Sequence, residues 1–154
     1  MRFLKLLSLV TVMGLCSPAF AQNGQDIMQM SMAELEANRQ AIVASSMQLD
    51  EVASEKFWPV YNAYRADVEP LKQRTLDLIT SYADNYLSLT DKQAAKLTKD
   101  YFKLEADRAK MKKKYIKKMQ KALGEVAAMR FLQVENKMDA IVSFGLAVQI
   151  PLAE

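Results

Sequence analysis

Residues Asp50 to Tyr86, DEVASEKFWPVYNAYRADVEPLKQRTLDLITSYADNY, decide the fold. Turning 100° per residue from Phe57 puts Ala53, Val60, Tyr61, Tyr64, Val68, Leu71, Leu78, Ile79, Tyr82 and Tyr86 on one side of a helix. A strand's alternation cannot hold that direction, so the stretch predicts one helix of roughly 50 Å at 1.5 Å per residue. Asp50 stands where an N-cap belongs, its carboxylate able to accept a free amide of the first turn. Pro59 and Pro70 both lie inside. Pro59 reads as the first turn of the long helix, after a short helical segment, and Pro70 as a kink.

Downstream, Leu89-Thr90-Asp91-Lys92-Gln93 opens a third helix, in which Thr90 and Gln93 form a capping box. Leu97, Tyr101, Leu104, Met111, Tyr115, Met119 and Leu123 make its apolar stripe, and Gly124 ends it. A fourth helix from about Glu125 turns Ala127, Phe131, Val134, Met138, Ile141 and Val142 inward, and Pro151 stops the chain from continuing as helix. Upstream, Ser31-Met32-Ala33-Glu34 is another capping box, followed by a first helix to near Ser46. Four glycines and four prolines are too few for the turns of a β protein. The expectation is an all-α fold: an elongated antiparallel bundle of about four helices, with long helices near 50–86 and 91–123. A faint repeat at an offset of 40, pairing Leu49 with Leu89 and Tyr61 with Tyr101, fits two related helix–turn–helix units.

The first 21 residues read as a signal peptide. Arg2 and Lys5 supply a positive start, Leu6 to Leu15 an apolar stretch too short to span a bilayer, and Ala19-Phe20-Ala21 a cleavage site. Cleavage after Ala21 would leave a flexible arm over 22–30 and one helical domain over 31–154, in the periplasm. Cys16 after Gly14-Leu15 is the lipoprotein alternative, for which Leu15 is a poor neighbour. Cleavage removes the only cysteine, so no disulfide or thiolate remains. It also takes 21 basic residues to 19 against 18 acidic ones, which removes the main support for nucleic-acid binding. No later apolar run reaches membrane-spanning length.

Chemistry is scarce in this composition. Without histidine or mature cysteine, acid–base or nucleophilic catalysis would need activated Asp, Glu, Lys, Tyr or Ser. No carboxylate pair stands out from the helix-surface pattern, no glycine-rich phosphate loop exists, and an enzyme is not expected. The conspicuous charge feature is Arg108, Lys110, Lys112, Lys113, Lys114, Lys117, Lys118 and Lys121. Lys110, Lys114, Lys117 and Lys121 share one face, opposite Met111, Tyr115 and Met119. That face is either merely solvated or an electropositive strip for acidic clients, anionic headgroups or an acidic sensor domain. Arg108 and Lys112 project toward the apolar side and are expected to snorkel or to pair across helices. Phe57, Tyr61, Tyr64, Tyr82 and Tyr86 read as core, with Trp58, Tyr61 and Tyr64 as the part that could line an apolar cradle for unfolded chains. Met28, Met30 and Met32 place three thioethers at alternate positions, soft ligands suited to Cu(I), or simply lead into the first helix. Arg130, Gln133, Glu135 and Asn136 flank the last apolar stripe and are expected to make inter-helix polar contacts. The apolar tail from Gly145 to Leu152 is expected to dock back on the bundle, with a dimer seam as the alternative.

Leu89-Thr90-Asp91-Lys92-Gln93 also matches the L-T-x-x-Q motif of the Spy/CpxP-like periplasmic proteins, with Leu49-Asp50-Glu51-Val52-Ala53 as a degenerate first copy. Phe57-Trp58-Pro59-Val60-Tyr61 and Arg130-Phe131-Leu132-Gln133-Val134-Glu135-Asn136 resemble segments of uncharacterised exported relatives. The resemblance covers most of the chain after the signal peptide. It implies a thin, curved bundle of long antiparallel helices, a possible homodimer. Such proteins serve in envelope stress, binding unfolded or partly folded proteins or a sensor kinase's periplasmic domain, without a cofactor. Some relatives bind metals through histidines, and this sequence has none. A periplasmic copper-binding or copper-sensing protein is the alternative, resting on Met28, Met30 and Met32.

Overall fold

The computed structural model describes residues 32–153, and its main elements are four helices. They are α1 (Met32–Met47), α2 (Glu51–Ala83), α3 (Asp91–Leu123) and α4 (Glu125–Ala147), with a 3-10 turn at Tyr86–Ser88 between α2 and α3. No strand occurs among the described residues. The fold is all-α. The expected signal peptide, Cys16, the arm over 22–30 and the Ser31 cap lie outside the described residues.

Each helix start has a local cause. Asp50 sits in extended backbone, and its Oδ1 accepts the amide of Ala53 at 2.8 Å. Thr90 repeats the arrangement and completes it: Gln93 donates its amide to the Thr90 hydroxyl, and its side chain accepts from the Thr90 amide at 3.0 Å. The two segments related by the offset of 40 therefore both begin helices, but only the second closes the box. Between α3 and α4 the link is one residue, Gly124, at φ 86 and ψ 173. That region of backbone space is nearly closed to residues with a Cβ, which is why a glycine stands there. Gln48, at φ 49, takes the left-handed conformation that ends α1 without a glycine's freedom.

Two boundaries differ from the sequence reading. Helix α2 ends at Ala83 and not at Tyr86; the amide of Asp84 still reaches Thr80 O at 2.9 Å, and the chain then tightens into the 3-10 turn. Pro59 does not mark a first turn either, because α2 is continuous from Glu51 and contains both prolines. Both are exposed, so the carbonyls left without an amide partner, on Glu55 and Ala66, belong to the solvent side of the helix.

Polar pairs fix the register. Arg74 faces Asp107 at 2.7 Å and Lys114 faces Asp67 at 2.7 Å, making α2 and α3 antiparallel. Lys112 of α3 meets Asp139 at 2.8 Å and Asn136 at 2.9 Å on α4. Arg130 of α4 donates to Met47 O at 3.1 Å, and Arg39 of α1 reaches Glu135 at 3.2 Å, so α1 runs antiparallel to α4. Arg108 spans to α2, donating to the Thr75 hydroxyl while it pairs with Glu105. Lys112 pairs across helices, with Asp139 of α4 and not with α2, whereas the ion pair of Arg108 is with Glu105 of its own helix and its cross-helix contact is the Thr75 hydroxyl.

The core occupies one end. Leu35, Ile42, Val43 and Met47 of α1 close over Phe57, Tyr61 and Tyr64 of α2, Tyr115 and Met119 of α3, and Ala128, Phe131, Val134, Met138 and Ile141 of α4. Phe131 is its hub, with ring centroids 5.4 Å from Tyr64, 5.9 Å from Phe57 and 6.3 Å from Tyr61, all edge-on. Each such edge-to-face pair adds about 0.5–1.5 kcal/mol beyond the area it buries. By the same register, α1 does not reach the other end. There α2 beyond Leu71 and α3 before Leu104 form a two-helix hairpin. Among the described residues only the last turns of α4 and the tail approach it; the Tyr82 hydroxyl donates to Pro151 O at 2.8 Å. The bundle is thick at one end and thin at the other.

Candidate binding surfaces

Periodicity cannot tell how far along a helix its partners extend, and the thin end shows the consequence. Tyr101, read as an inward residue, is half exposed; its neighbour Phe102 is 66% exposed, and their rings meet at 5.4 Å. Leu76, Leu87, Val148 and Leu152 are exposed as well, and Phe144 is 71% exposed. The antiparallel register puts Leu76, Tyr101, Phe102, Phe144 and Val148 at neighbouring levels along the bundle. Large apolar side chains scattered singly need no explanation; Val52, Val126 and Met129 are exposed at the other end too, but the group around Tyr101 and Phe102 is the larger one and is the candidate contact surface.

The aromatic cradle expected from Trp58, Tyr61 and Tyr64 is different. Tyr61 and Tyr64 are each only 3% exposed and belong to the core, because α1 closes over them. Trp58 stands at the core's edge, half-buried, with its ring 5.0 Å from Phe57 and 5.5 Å from Tyr61. Burial and the neighbouring Glu135 carboxylate push the Tyr61 phenol up to about 12 and that of Tyr64 higher still. In this conformation no client can touch Tyr61 or Tyr64.

Beneath α1 lies Glu135, expected to make inter-helix contacts but not to be buried. Glu135 is 1% exposed; its Oε2 accepts from the Tyr64 hydroxyl at 2.8 Å and from Arg39 Nη1 at 3.2 Å. Its Oε1 has no partner among the described residues. Burial raises the Glu135 carboxyl above its ordinary range, and the nearby Arg39 guanidinium and Tyr64 hydroxyl only partly oppose this. Arg39 is also held by Glu36 at 2.9 Å, and Glu36 reaches on to Lys72 at 2.7 Å and Arg65 at 3.5 Å. Burial alone would raise the Glu36 carboxyl, but Lys72, Arg39 and Arg65 outweigh it and hold it below the usual range. These contacts tie α1 to α2 and α4. Arg130, Glu135 and Asn136 make the inter-helix contacts expected of them, while Gln133 is exposed.

The second surface is on α3. Every exposed residue from 110 to 121 is a lysine: Lys110, Lys113, Lys114, Lys117, Lys118 and Lys121. Their side chains wall an open cleft of about 420 Å³. Four of them are those the sequence singled out; Lys113 and Lys118 complete the set. Lys114 pairs with Asp67, whose carboxyl is held low by Lys114 and by the Tyr115 hydroxyl 2.7 Å away. Lys118 lies 4.5 Å from the centroid of the Tyr115 ring. The helix dipole favours cations only within the last turn, which accounts for Lys121 alone. Like charges three and four residues apart repel one another, so the strip does nothing to stabilise α3.

The motif residues act locally. Leu49 and Leu89 are half-buried ahead of the caps Asp50 and Thr90, and Gln93 also donates to Asn85 Oδ1 at 2.9 Å. Met28 and Met30 lie outside the described residues, and only the backbone of Met32 falls within them, as the first residue of α1. No helix among the described residues is long and apolar enough to cross a membrane. No protein-family model, curated protein or solved structure matches the chain.

Proposed function

We propose that the chain is a periplasmic, non-catalytic binding protein of the Spy/CpxP-like kind, which holds partly unfolded polypeptides on the apolar thin end of its bundle. The observation that carries this is the exposure of Tyr101, Phe102, Phe144 and Val148 at neighbouring levels of a two-helix extension. A thin end contributes little to the core and much to the accessible apolar area, the combination suited to transient contact with unfolded chain. The signal-peptide pattern before Gln22 and the Leu89-Thr90-Asp91-Lys92-Gln93 motif support the compartment and the family. A sensor kinase's periplasmic domain is a partner of the same kind, needing only an apolar patch of its own.

The direct test is suppression of aggregation by the purified protein, with a chemically denatured client diluted into buffer free of nucleotide and metal. The reading expects stoichiometric suppression. Unchanged light scattering at about tenfold molar excess would refute it, since a binder with micromolar affinity would then be close to saturating.

A further inference from the structure

The lysine-walled cleft on α3 has no part in that reading. Lys110, Lys113, Lys117 and Lys121 make no ion pair, hydrogen bond or ring contact among the described residues; Lys118 rests on Tyr115, and only Lys114 has a carboxylate. Asp67 therefore neutralises one of six ammonium groups arrayed along about 16 Å of helix axis.

We infer that the cleft binds a compact anion carrying several closely spaced phosphate groups, with linear oligophosphate as the ligand class. Shape is the first argument: all six side chains rise from one helix, so the strip offers a short line of charge and no groove to seat an extended polypeptide. The walls are the second. No exposed apolar side chain lies among residues 110–121 to anchor a peptide, and no arginine is present there to grip a planar carboxylate in bidentate fashion. Lysine instead offers a compact point charge with three rotatable donors on a flexible stem, which can settle around tetrahedral phosphates at several spacings. Charge density is the third. A phosphate near neutral pH carries up to about two charges, so a short chain of them neutralises the strip within the space available. Such a ligand would also relieve the repulsion along α3.

The test is calorimetric titration of the full chain with sodium tripolyphosphate, with sulfate, poly-glutamate and phosphatidylglycerol vesicles as parallel arms. The cleft variant is Lys110→Gln/Lys117→Gln/Lys121→Gln. The control is Lys92→Gln/Lys96→Gln/Lys99→Gln, an equal loss of charge at the other end of α3. Tripolyphosphate is expected to bind at least about tenfold more tightly than sulfate and to weaken steadily with salt. The cleft variant should lose about tenfold or more and the control less than about threefold, with arginine at the three cleft positions restoring binding and melting temperatures that do not fall by more than a few degrees excluding unfolding. Equal losses in the two variants would overturn the inference by reducing it to net charge. Poly-glutamate binding as tightly as tripolyphosphate would assign the strip to acidic polypeptides. Vesicle binding without tripolyphosphate binding would assign it to membrane surfaces, and no binding in any arm would leave it a solvated face. Because these lysines are not the apolar residues of the thin end, aggregation suppression can survive failure here, and the reverse.

Discussion

Replacing Arg39 by leucine probes what holds α1 over the core. Among the described residues the substitution removes the one cation paired with Glu135, leaving a carboxylate that is 1% exposed with Tyr64 as its remaining donor. Breaking a buried pair from one side costs about 3–5 kcal/mol. The lower end applies, because the 3.2 Å contact is single and Tyr64 keeps its bond to the same oxygen. Glu135→Leu is predicted to cost less, about 1 kcal/mol, since Arg39 keeps Glu36 at 2.9 Å and an apolar side chain fills the site. The double variant should cost little more than Glu135→Leu alone. Acidity supplies the sign. The folded-state carboxyl of Glu135 lies above its unfolded value, so the folded protein binds that proton more tightly, and its contribution becomes more favourable as pH falls through that raised range. Without Arg39 the carboxyl rises further. The deficit of Arg39→Leu should therefore narrow as pH falls from neutral through the raised Glu135 range, and Glu36, held low partly by Arg39, adds to the narrowing only below its ordinary value. Urea unfolding gives the free energies, and a loss of about 3 kcal/mol corresponds to a melting decrease of roughly 10 °C. A Glu135→Leu deficit equal to or larger than that of Arg39→Leu, or a gap that widens in acid, would refute the reasoning.

Other substitutions test the joints. Gly124→Ala should lose about 1–3 kcal/mol from backbone strain alone, because nothing lies within 4 Å of an added Cβ; thermal melting reads it. Gln48→Gly should move the other way, stabilising by up to about 1 kcal/mol as the left-handed residue after α1 gains its natural occupant. Thr90→Ala opens the capping box and should cost about 1 kcal/mol, with amide exchange rising first around Lys92 and Gln93. Tyr61→Ala should destabilise by roughly 3 kcal/mol or more as a core truncation; unchanged stability would restore the exposed-cradle reading of that residue.

The helices were legible because their signals are local. The stripe from Phe57, the Asp50 cap, the box at Thr90 and Gln93, and the glycine after Leu123 each act within a few residues. Partner extent was not legible. The stripe of α3 continues through Tyr101, but α4 ends at Ala147 and α1 covers only the thick end, so a residue in phase with the core still meets solvent. The inter-helix role of Glu135 was legible, but its burial and its partner Arg39 were hidden for the opposite reason. Charged residues beside an apolar stripe ordinarily read as surface, and these two lie 96 positions apart in the chain. The lysine strip was legible both as charge and as one helix face, because all six residues stand on α3.

The central claim, that the thin apolar end and not the aromatic core is the contact surface, is tested most directly by the variant Phe102→Ser/Phe144→Ser. Both side chains are mostly exposed, so its melting temperature should stay within a few degrees of the parent's. Its half-maximal concentration for suppressing client aggregation should rise by about tenfold, equivalent to about 1.4 kcal/mol of binding. An unchanged half-maximal concentration, with suppression lost instead in a stable Trp58→Ala variant, would contradict the account and return the site to the core's edge.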